Sequence, residues 1–253
     1  MKFSALASGS SGNCFYIENK NSGILIDAGI SSKQIIERLG LLNTNPERIK
    51  GIFITHEHSD HTRGADVFAR RFNIPVFATH KTAEKCFLAE ENLNIIKNNE
   101  AVNIAGMRIE AFSKSHKAED PVSYNIINGR KISIMTDMGY ACENVISNIS
   151  DTNFLCIESN HDLSMLEQGP YPYFLKKWIK SDIGHLSNVQ AGLSILEHSS
   201  PRLNRVILAH LSSTNNTPEL ALETFKGIVK ARKNFSAKVD ISLREKPTQL
   251  FKV

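Results

Sequence analysis

Three histidines and an aspartate crowd into the six residues 56–61, which read His-Glu-His-Ser-Asp-His. The run directly follows the apolar stretch Gly-Ile-Phe-Ile-Thr, which is typical of a buried strand. Alternate side chains of an extended segment project to the same side, so His56 and His58 can bind one metal ion. Asp60 and His61 lie just beyond and are placed to bind a second ion. The alternative is a histidine-rich surface loop that binds nothing in particular.

Two metal ions need more ligands than this run supplies, and residues of the right types follow other apolar strands. They are His116 after a strand ending at Phe112, Asp137 after Ile-Ser-Ile-Met-Thr, and His210 after Val-Ile-Leu-Ala. Any one of them could be an ordinary core or turn residue, but their shared position at strand ends favours a common site. Asp137 suits a bridging role, because a carboxylate has two oxygens. Asp27 is interpreted as accepting an N–H from a ligand imidazole; a turn-forming aspartate is the alternative.

Strand-like and helix-like segments alternate along the chain. The predicted strands span residues 2–7, 14–18, 24–27, 51–55, 75–78, 101–104, 107–112, 122–127, 131–136, 153–158, 205–209, 238–243 and 250–253. The predicted helices span residues 31–39, 65–72, 82–91, 172–180, 188–197 and 218–233. Two β-rich halves, each with helices, predict stacked sheets covered by helices in a single domain over residues 1–253.

The composition is that of a globular protein and does not indicate a particular activity. The 253 residues are 41% hydrophobic and 22% charged, which is typical of a globular chain. No apolar run reaches membrane-spanning length, and the N-terminus lacks the apolar core of a signal peptide, so we expect a cytoplasmic protein with no membrane partner. The four cysteines are scattered, which predicts neither a disulfide framework nor a zinc ribbon. A net charge of +4 permits a polyanionic partner but does not require one.

Several ordered segments resemble the motifs of the metallo-β-lactamase superfamily. They are Ile-Asp-Ala-Gly at 26–29, Thr-His-Glu-His-Ser-Asp-His at 55–61, His116, Thr-Asp-Met-Gly at 136–139 and Ala-His-Leu-Ser at 209–212. Further segments, at 7–14, 115–122, 158–162 and 184–188, resemble the YycJ/VicX (WalJ) group of bacterial hydrolases, which is related to RNase Z-type nucleases. The resemblance implies an α/β fold, the four-layer αββα sandwich with two mixed β-sheets flanked by helices.

The same resemblance implies the metal ligands and the catalytic residues. One divalent ion would be held by His56, His58, His116 and Asp137, and the other by Asp60, His61, Asp137 and His210. Manganese or zinc is expected, and iron is compatible with the same ligands. Asp60 and His185 are the implied catalytic residues, His185 as a general acid. The alternative for His185 is a helix-entry residue, and His161 could contact the site or the substrate, whereas His80 and His198 are interpreted as structural.

The activity implied by the resemblance is a two-metal phosphodiesterase, a 5′-to-3′ exonuclease on DNA that attacks with a metal-bridging hydroxide. The partner is then a nucleic acid, with DNA favoured over RNA; no oligomeric state is predicted. The alternatives are an RNase Z-like RNA-processing endonuclease, a small-molecule phosphodiester or thioester hydrolase, and a non-catalytic binding module.

Features of the motifs bear on these alternatives. Asp137 stands where many β-lactamases of this fold have cysteine, and Ser-His-Lys at 115–117 replaces the Gly-His-Thr of glyoxalase-like members. Only 72 residues separate Asp137 from His210, which leaves no room for a β-CASP domain. No extended Gly-Pro-rich arm of the RNase Z kind is present. Three basic groups could contact phosphates or could be solvated helix faces; they are Arg63, Arg70 and Arg71, then Lys176, Lys177 and Lys180, then Lys226, Lys230, Arg232 and Lys233.

Overall fold

Fourteen strands and nine helices alternate along the computed structural model, which describes residues 1–253. The strands are β1 Lys2–Ala7, β2 Cys14–Asn19, β3 Ser22–Ile26, β4 Ile49–Phe53, β5 Val76–Thr79, β6 Leu93–Ile96, β7 Ala101–Ile104, β8 Met107–Ser113, β9 Val122–Asn128, β10 Arg130–Met135, β11 Phe154–Glu158, β12 Arg205–Ala209, β13 Lys238–Ile241 and β14 Phe251–Lys252. The helices are α1 Ser32–Leu41, α2 Ser59–Thr62, α3 Ala65–Phe72, α4 His80–Lys85, α5 Glu143–Ile149, α6 Leu163–Gln168, α7 Tyr173–Ile179, α8 Asn188–His198 and α9 Pro218–Val229. None of these helices combines the length and the hydropathy needed to cross a bilayer.

The strands form two mixed sheets of seven, flanked by helices, which confirms the predicted fold class. The first sheet has the order β14-β1-β2-β3-β4-β5-β6. Its pairs are antiparallel from β14 to β3 and parallel from β3 to β6. The second sheet contains the antiparallel strands β7 to β9 and the parallel strands β10 to β13. Parallel strands end at a common edge, so residues that follow them in sequence meet there.

The chain divides into two compact units. The first comprises Met1–Ser113, Ala118–Arg130 and Leu243–Val253, and its core packs α1 and α3 against the apolar faces of the first sheet. The second comprises Lys114–Lys117 and Lys131–Ser242. Its centre is β11 and β12, which are buried along their whole length except at Arg205, as expected for parallel strands covered on both faces. The single-domain expectation stays a prediction.

Capping boxes explain where helices α1 and α8 begin. Ser31 and Gln34 form a reciprocal capping box at α1, and Ser187 and Gln190 form another at α8. The predicted end of α1 at residue 39 is two residues short, because the helix continues to Leu41 and is capped at Leu42. Gly40 is therefore an interior helix residue.

The prediction of a helix over residues 82–91 was also wrong. The helix there, α4, ends at Lys85, a 3₁₀ turn covers Glu90–Asn92, and the four-residue strand β6 follows. The chain leaves the helical path at Cys86, whose backbone is extended, and Phe87 next to it is fully exposed. The predicted helix over residues 218–233 likewise stops at Val229. The apolar periodicity of the sequence therefore continues beyond the residues at which these helices end.

Candidate metal centre

Three of the chemically important residues follow strand ends in the left-handed backbone region. Asp27 comes after β3, Asp137 shortly after β10 and His210 directly after β12, and their φ angles are 58°, 57° and 57°. This conformation costs a residue with a Cβ roughly 1–2 kcal/mol, although aspartate tolerates it better than most. It interrupts the alternation of the strand and redirects the side chain at the end of the sheet. All three side chains are buried.

In the first unit, Asp27 organises the residues that follow β4. Its Oδ1 accepts the Thr55 backbone N–H at 2.8 Å, and its Oδ2 accepts the Thr55 hydroxyl at 2.9 Å and lies 2.7 Å from Nδ1 of His61. The contact expected between Asp27 and a candidate ligand imidazole is therefore present. A carboxylate can only accept, so the His61 proton sits on Nδ1 and its Nε2 carries the lone pair that a metal would need.

The same reasoning applies to His56. Because the Thr55 hydroxyl donates to Asp27, its oxygen accepts from Nδ1 of His56, 2.9 Å away. Nε2 of His56 then lies 3.0 Å from Nδ1 of His58. Two nitrogens at this separation can both bind one ion at about 2.0–2.1 Å. The donor set and its spacing therefore fit a divalent metal.

Asn13 fixes the other end of the histidine run. Its side-chain amide lies 3.1 Å from Nε2 of His61 and donates to Oδ2 of Asp60 at 3.3 Å. Its backbone N–H donates to the Asp60 carbonyl at 2.7 Å, and its own carbonyl accepts from Gly29 at 2.8 Å. The Gly-Ser-rich turn before β2 is thus docked on α2. The Asp60 side chain keeps 19% of its surface exposed, so solvent reaches this carboxylate.

Gly29 lets two backbone segments approach more closely than any side chain allows. A Cβ at this position would lie 1.6 Å from the Asp60 carbonyl oxygen. We therefore expect Gly29→Ala to lower the free energy of unfolding by at least about 3 kcal/mol and to weaken metal binding, since Asp60 must move. Urea denaturation and metal titration measure both effects.

Gly40→Ala is the matched control for that substitution. A Cβ at Gly40 meets nothing within 4 Å, and the residue lies inside α1. Alanine is the better helix former, so the control should gain about 0.5–1 kcal/mol. Equal stability of the two variants would contradict the close approach of Gly29 to Asp60.

In the second unit, Asp137 is surrounded by three imidazoles. Its Oδ1 lies 3.4 Å from Nε2 of His210, 4.0 Å from Nε2 of His116 and 3.9 Å from Nδ1 of His185. His116 donates its Nδ1 proton to the Gly184 carbonyl at 3.2 Å, so Nε2 is the atom that could bind a metal. Burial lowers the pKa of His116 to about 3, and Asp137 offsets this only in part. His116 is therefore neutral at pH 7, as a metal ligand must be.

Glu158, at the end of β11, is the hub of this cluster. Its Oε1 lies 2.8 Å from Nδ1 of both His185 and His210. Its Oε2 accepts the backbone N–H groups of Met138 at 2.8 Å and Leu186 at 3.2 Å. A carboxylate oxygen can only accept, so both imidazoles donate their Nδ1 protons to Glu158. The lone pair of each neutral ring is then on Nε2. Glu158, Asp137, His185 and His210 carry potential ligand atoms within 4.8 Å of one another.

The four donors also keep the buried carboxylate charged. Burial by itself would raise the pKa of Glu158, but the charge on His185 and the hydrogen bonds from both imidazoles lower it to about 2. His185 retains 13% exposure of its side chain, so it can meet a substrate while Glu158 holds it from behind. The Trp178 ring lies nearly perpendicular to the His185 ring at a centroid distance of 5.6 Å.

His161 is placed unlike the other histidines. It is buried, and neither of its ring nitrogens has a hydrogen-bond partner. Burial lowers its pKa to about 4. Its backbone carbonyl accepts from Asn188, which ties it to the start of α8. His80 and His198 lie outside both clusters, and His80 is exposed beside Glu84.

The structure thus groups the sequence-predicted residues unit by unit. His56, His58, Asp60 and His61 lie together in the first unit, and His116, Asp137, His185 and His210 lie together in the second. Sequence reasoning missed two residues that position them, Asn13 and Glu158. Glu158 carried the same signal as Asp137, an acidic residue at the end of an apolar strand. Asn13 lies in the segment 7–14 that resembles the YycJ/VicX (WalJ) group, but its residue type and spacing indicated no contact with His61.

Comparison with known proteins agrees with these motifs. The model of the metallo-beta-lactamase superfamily matches residues 7–124. Exodeoxyribonuclease YycJ of Bacillus anthracis is 37% identical over 231 residues, which is 87% of this chain and 86% of that protein. Exodeoxyribonuclease WalJ of Streptococcus pneumoniae is 36% identical over 228 residues, with 87% of this chain and 85% of that protein covered.

Solved structures share the fold at much lower identity. The metallo-beta-lactamase fold protein YhfI of Bacillus subtilis superimposes with a TM-score of 0.73 at 14% identity, over 98% of each chain. The short form of human tRNase Z gives a TM-score of 0.66 at 14% identity, over 100% of each chain. The extent and level of identity to YycJ and WalJ decide the family: the chain belongs to the metallo-β-lactamase superfamily of metal-dependent hydrolases, in the family of YycJ and WalJ.

Proposed function

We propose that this protein is a two-metal-dependent phosphodiesterase that removes nucleotides from DNA in the 5′-to-3′ direction. The relatives that support this, YycJ and WalJ, are named exodeoxyribonucleases and match most of the chain. The observation that carries the proposal is the chemistry of the two clusters. In each of them, carboxylate, hydroxyl or carbonyl groups hold histidine Nδ1 atoms, and Nε2 atoms are left to bind metal.

We propose the ligand assignment that the motifs imply. His56, His58, His116 and Asp137 would bind one ion, and Asp60, His61, Asp137 and His210 would bind the other. Imidazole and carboxylate ligands suit manganese and zinc, and they also accept iron. When bound, a pair of such ions makes water nucleophilic at neutral pH and neutralises charge on a phosphodiester.

The protein's own groups would then orient the reaction and move protons. Asp60 is partly exposed and held by Asn13, so it can accept a proton from the attacking water. His185 is anchored through Nδ1 to Glu158, so when its ring carries a second proton on Nε2, that proton can pass to the oxygen that leaves phosphorus. Glu158 itself is fully buried and acts through His185 and His210.

DNA is the favoured substrate because the relatives that match most of the chain are named for it. The similarity to human tRNase Z concerns the fold and carries no argument for RNA. A DNA substrate and four free cysteines both favour a cytoplasmic location. An RNA-processing endonuclease and a small-molecule hydrolase are alternative outcomes of the experiment below.

The test is cleavage by metal-free protein to which Mn²⁺ or Zn²⁺ is added back. The substrates are duplex DNA labelled at the 5′ or the 3′ end, single-stranded DNA and a tRNA precursor. We expect metal-dependent release of nucleotides from the 5′ end of duplex DNA. Internal cleavage confined to the tRNA precursor would overturn the proposal in favour of RNA processing. Turnover of bis(p-nitrophenyl) phosphate or a thioester alone would replace it with a small-molecule hydrolase.

A further inference from the structure

A basic cavity lies at the C-terminal end of α9, within the second unit. It has a volume of about 630 Å³ and is lined by Lys226, Lys230, Lys233 and Lys238, with Phe235 among them. A second cavity of about 230 Å³ adjoins it and shares Lys233 and Phe235. Its remaining wall contains several hydroxyl and amide side chains. The two cavities form one surface, called here the α9 basic surface.

The charge of this surface is available to a ligand. Its one carboxylate, Asp240, already pairs with Arg205. The Arg232 guanidinium is used within the fold, because it donates to the carbonyls of Ile195 and Leu196 at the end of α8. None of the four lysines forms an ion pair with a carboxylate. Four ammonium groups around one cavity, whose one carboxylate is already paired with Arg205, are suited to phosphates.

The shape of the surface favours a strand over an isolated ion. Lys226 and Lys230 are one helical turn apart, about 6 Å along the axis of α9. Phe235 is half-buried and borders both cavities. Its position is fixed by its backbone N–H, which donates to the Arg232 carbonyl. Sequence-tolerant binding of single-stranded nucleic acid uses this combination, a basic track with an aromatic platform for unstacked bases. The four lysines are exposed, so the track is open to solvent.

The surface is separate from the metal cluster of the same unit. Arg205 lines the cavity at the start of β12, and His210 follows the end of that strand. They are five residue steps of extended chain apart, roughly 16 Å. A ligand on the α9 basic surface therefore leaves Asp137 and His210 accessible.

We propose that the α9 basic surface binds a single strand of nucleic acid outside the catalytic centre. The inference rests on the proposed function, because an exonuclease that degrades one strand of a duplex leaves the complementary strand unpaired. That strand has phosphates for the lysines and unstacked bases for Phe235. Holding it keeps the enzyme on its substrate between successive cleavages.

The test is binding of a fluorescent oligothymidylate to the metal-free, full-length protein, followed by anisotropy over a range of salt concentrations. Each phosphate of a single strand that a lysine neutralises adds about 0.7 to the steepness of log K against log salt. Lys226→Gln/Lys230→Gln/Lys233→Gln is therefore expected to lower that slope by about 2. Phe235→Leu is expected to weaken binding about 10-fold at unchanged slope, because it removes stacking and not charge.

Lys20→Gln/Lys50→Gln/Lys81→Gln is the matched control. It removes the same charge from exposed positions of the first unit and should keep the wild-type slope. An unchanged slope in the α9 variant would overturn the proposal, and so would failure of the wild-type protein to bind at low salt. Equal competition by pyrophosphate and oligothymidylate at the same phosphate concentration would also overturn it, in favour of a small-anion site. Because no cleavage is measured, these results are independent of the nuclease assay.

Discussion

Replacement of both Asp60 and His61 by alanine is expected to abolish metal-dependent hydrolysis while the protein remains folded. The two residues are neighbours in the first cluster, with Asp60 Oδ2 3.4 Å from Nε2 of His61. Their loss removes two proposed ligands of one ion and the proposed proton acceptor. Charge stabilisation by a metal contributes several kcal/mol to the transition state, so the rate should fall on the order of 10³-fold or more.

Metal content gives this prediction a second readout. Elemental analysis of the reloaded variant should find one ion fewer per chain than in the wild-type protein. His80→Ala is the control, because His80 is exposed on α4 outside both clusters. A variant that keeps both ions and its full rate would refute the ligand assignment for Asp60 and His61.

Glu158→Gln is expected to have the second largest effect, although it changes one oxygen to an NH₂ group. The carboxylate accepts from two imidazoles on one oxygen and from two backbone N–H groups on the other. The NH₂ group of a glutamine must face either the two imidazoles or the two backbone N–H groups, and it can only donate. Backbone amides cannot lose their protons, but neutral imidazoles can change tautomer. We therefore expect His185 and His210 to carry the proton on Nε2, which blocks metal binding at His210.

The expected loss in metal affinity or activity is about 100-fold, the size typical of partners that orient ligand histidines. Nitrogen-15 NMR of histidine-labelled, metal-free protein reports the tautomers directly and needs no turnover. Nδ1-protonated His185 and His210 in the variant would contradict the proposed orienting role. Ser133→Ala, which removes a buried hydroxyl from β10 without touching Glu158, controls for general disturbance of the core.

Glu158 should also make stability depend on pH. Its pKa is lowered to about 2 in the folded protein, below the ordinary value of 4.5. The stabilisation is therefore complete above about pH 4.5 and is lost as the pH falls toward 2, because the unfolded state binds the proton first. Urea denaturation between pH 5 and pH 2.5 should show a steeper loss for the wild-type protein than for Glu158→Gln.

Much of the first cluster could be predicted from the sequence because its residues are neighbours along the chain. A strand followed by His-Glu-His-Ser-Asp-His needs only the alternation of an extended segment to bring imidazoles together. Asp137 and His210 were predictable because they follow β10 and β12, apolar parallel strands that end at one edge of a sheet. The same rule applied equally to Glu158, yet its four hydrogen bonds come from residues 20 to 52 positions away. Contacts of that range leave no local pattern.

The missed elements have a different cause. Helices α5 and α6 have seven and six residues, too few for an apolar period of 3.6 to repeat clearly. Strand β6 has one buried residue in four, so it shows neither alternation nor a continuous apolar run. Asn13 contacts Asp60 across 47 residues, and nothing in the residues around it indicates that contact. Local sequence patterns therefore predicted the long strands and helices and the proposed metal ligands better than they predicted the residues that position those ligands.

The left-handed backbone at Asp27, Asp137 and His210 has a consequence for laboratory evolution. At each position glycine would relieve the backbone but delete a side chain that the two clusters depend on. A population selected only for resistance to heat should therefore accumulate glycine or asparagine at residue 210, where the strained residue is a histidine. Selection that also demands metal binding should hold that position unchanged. A substitution at residue 210 that appears only under the first selection would show that the strained backbone there is kept for metal binding and not for stability.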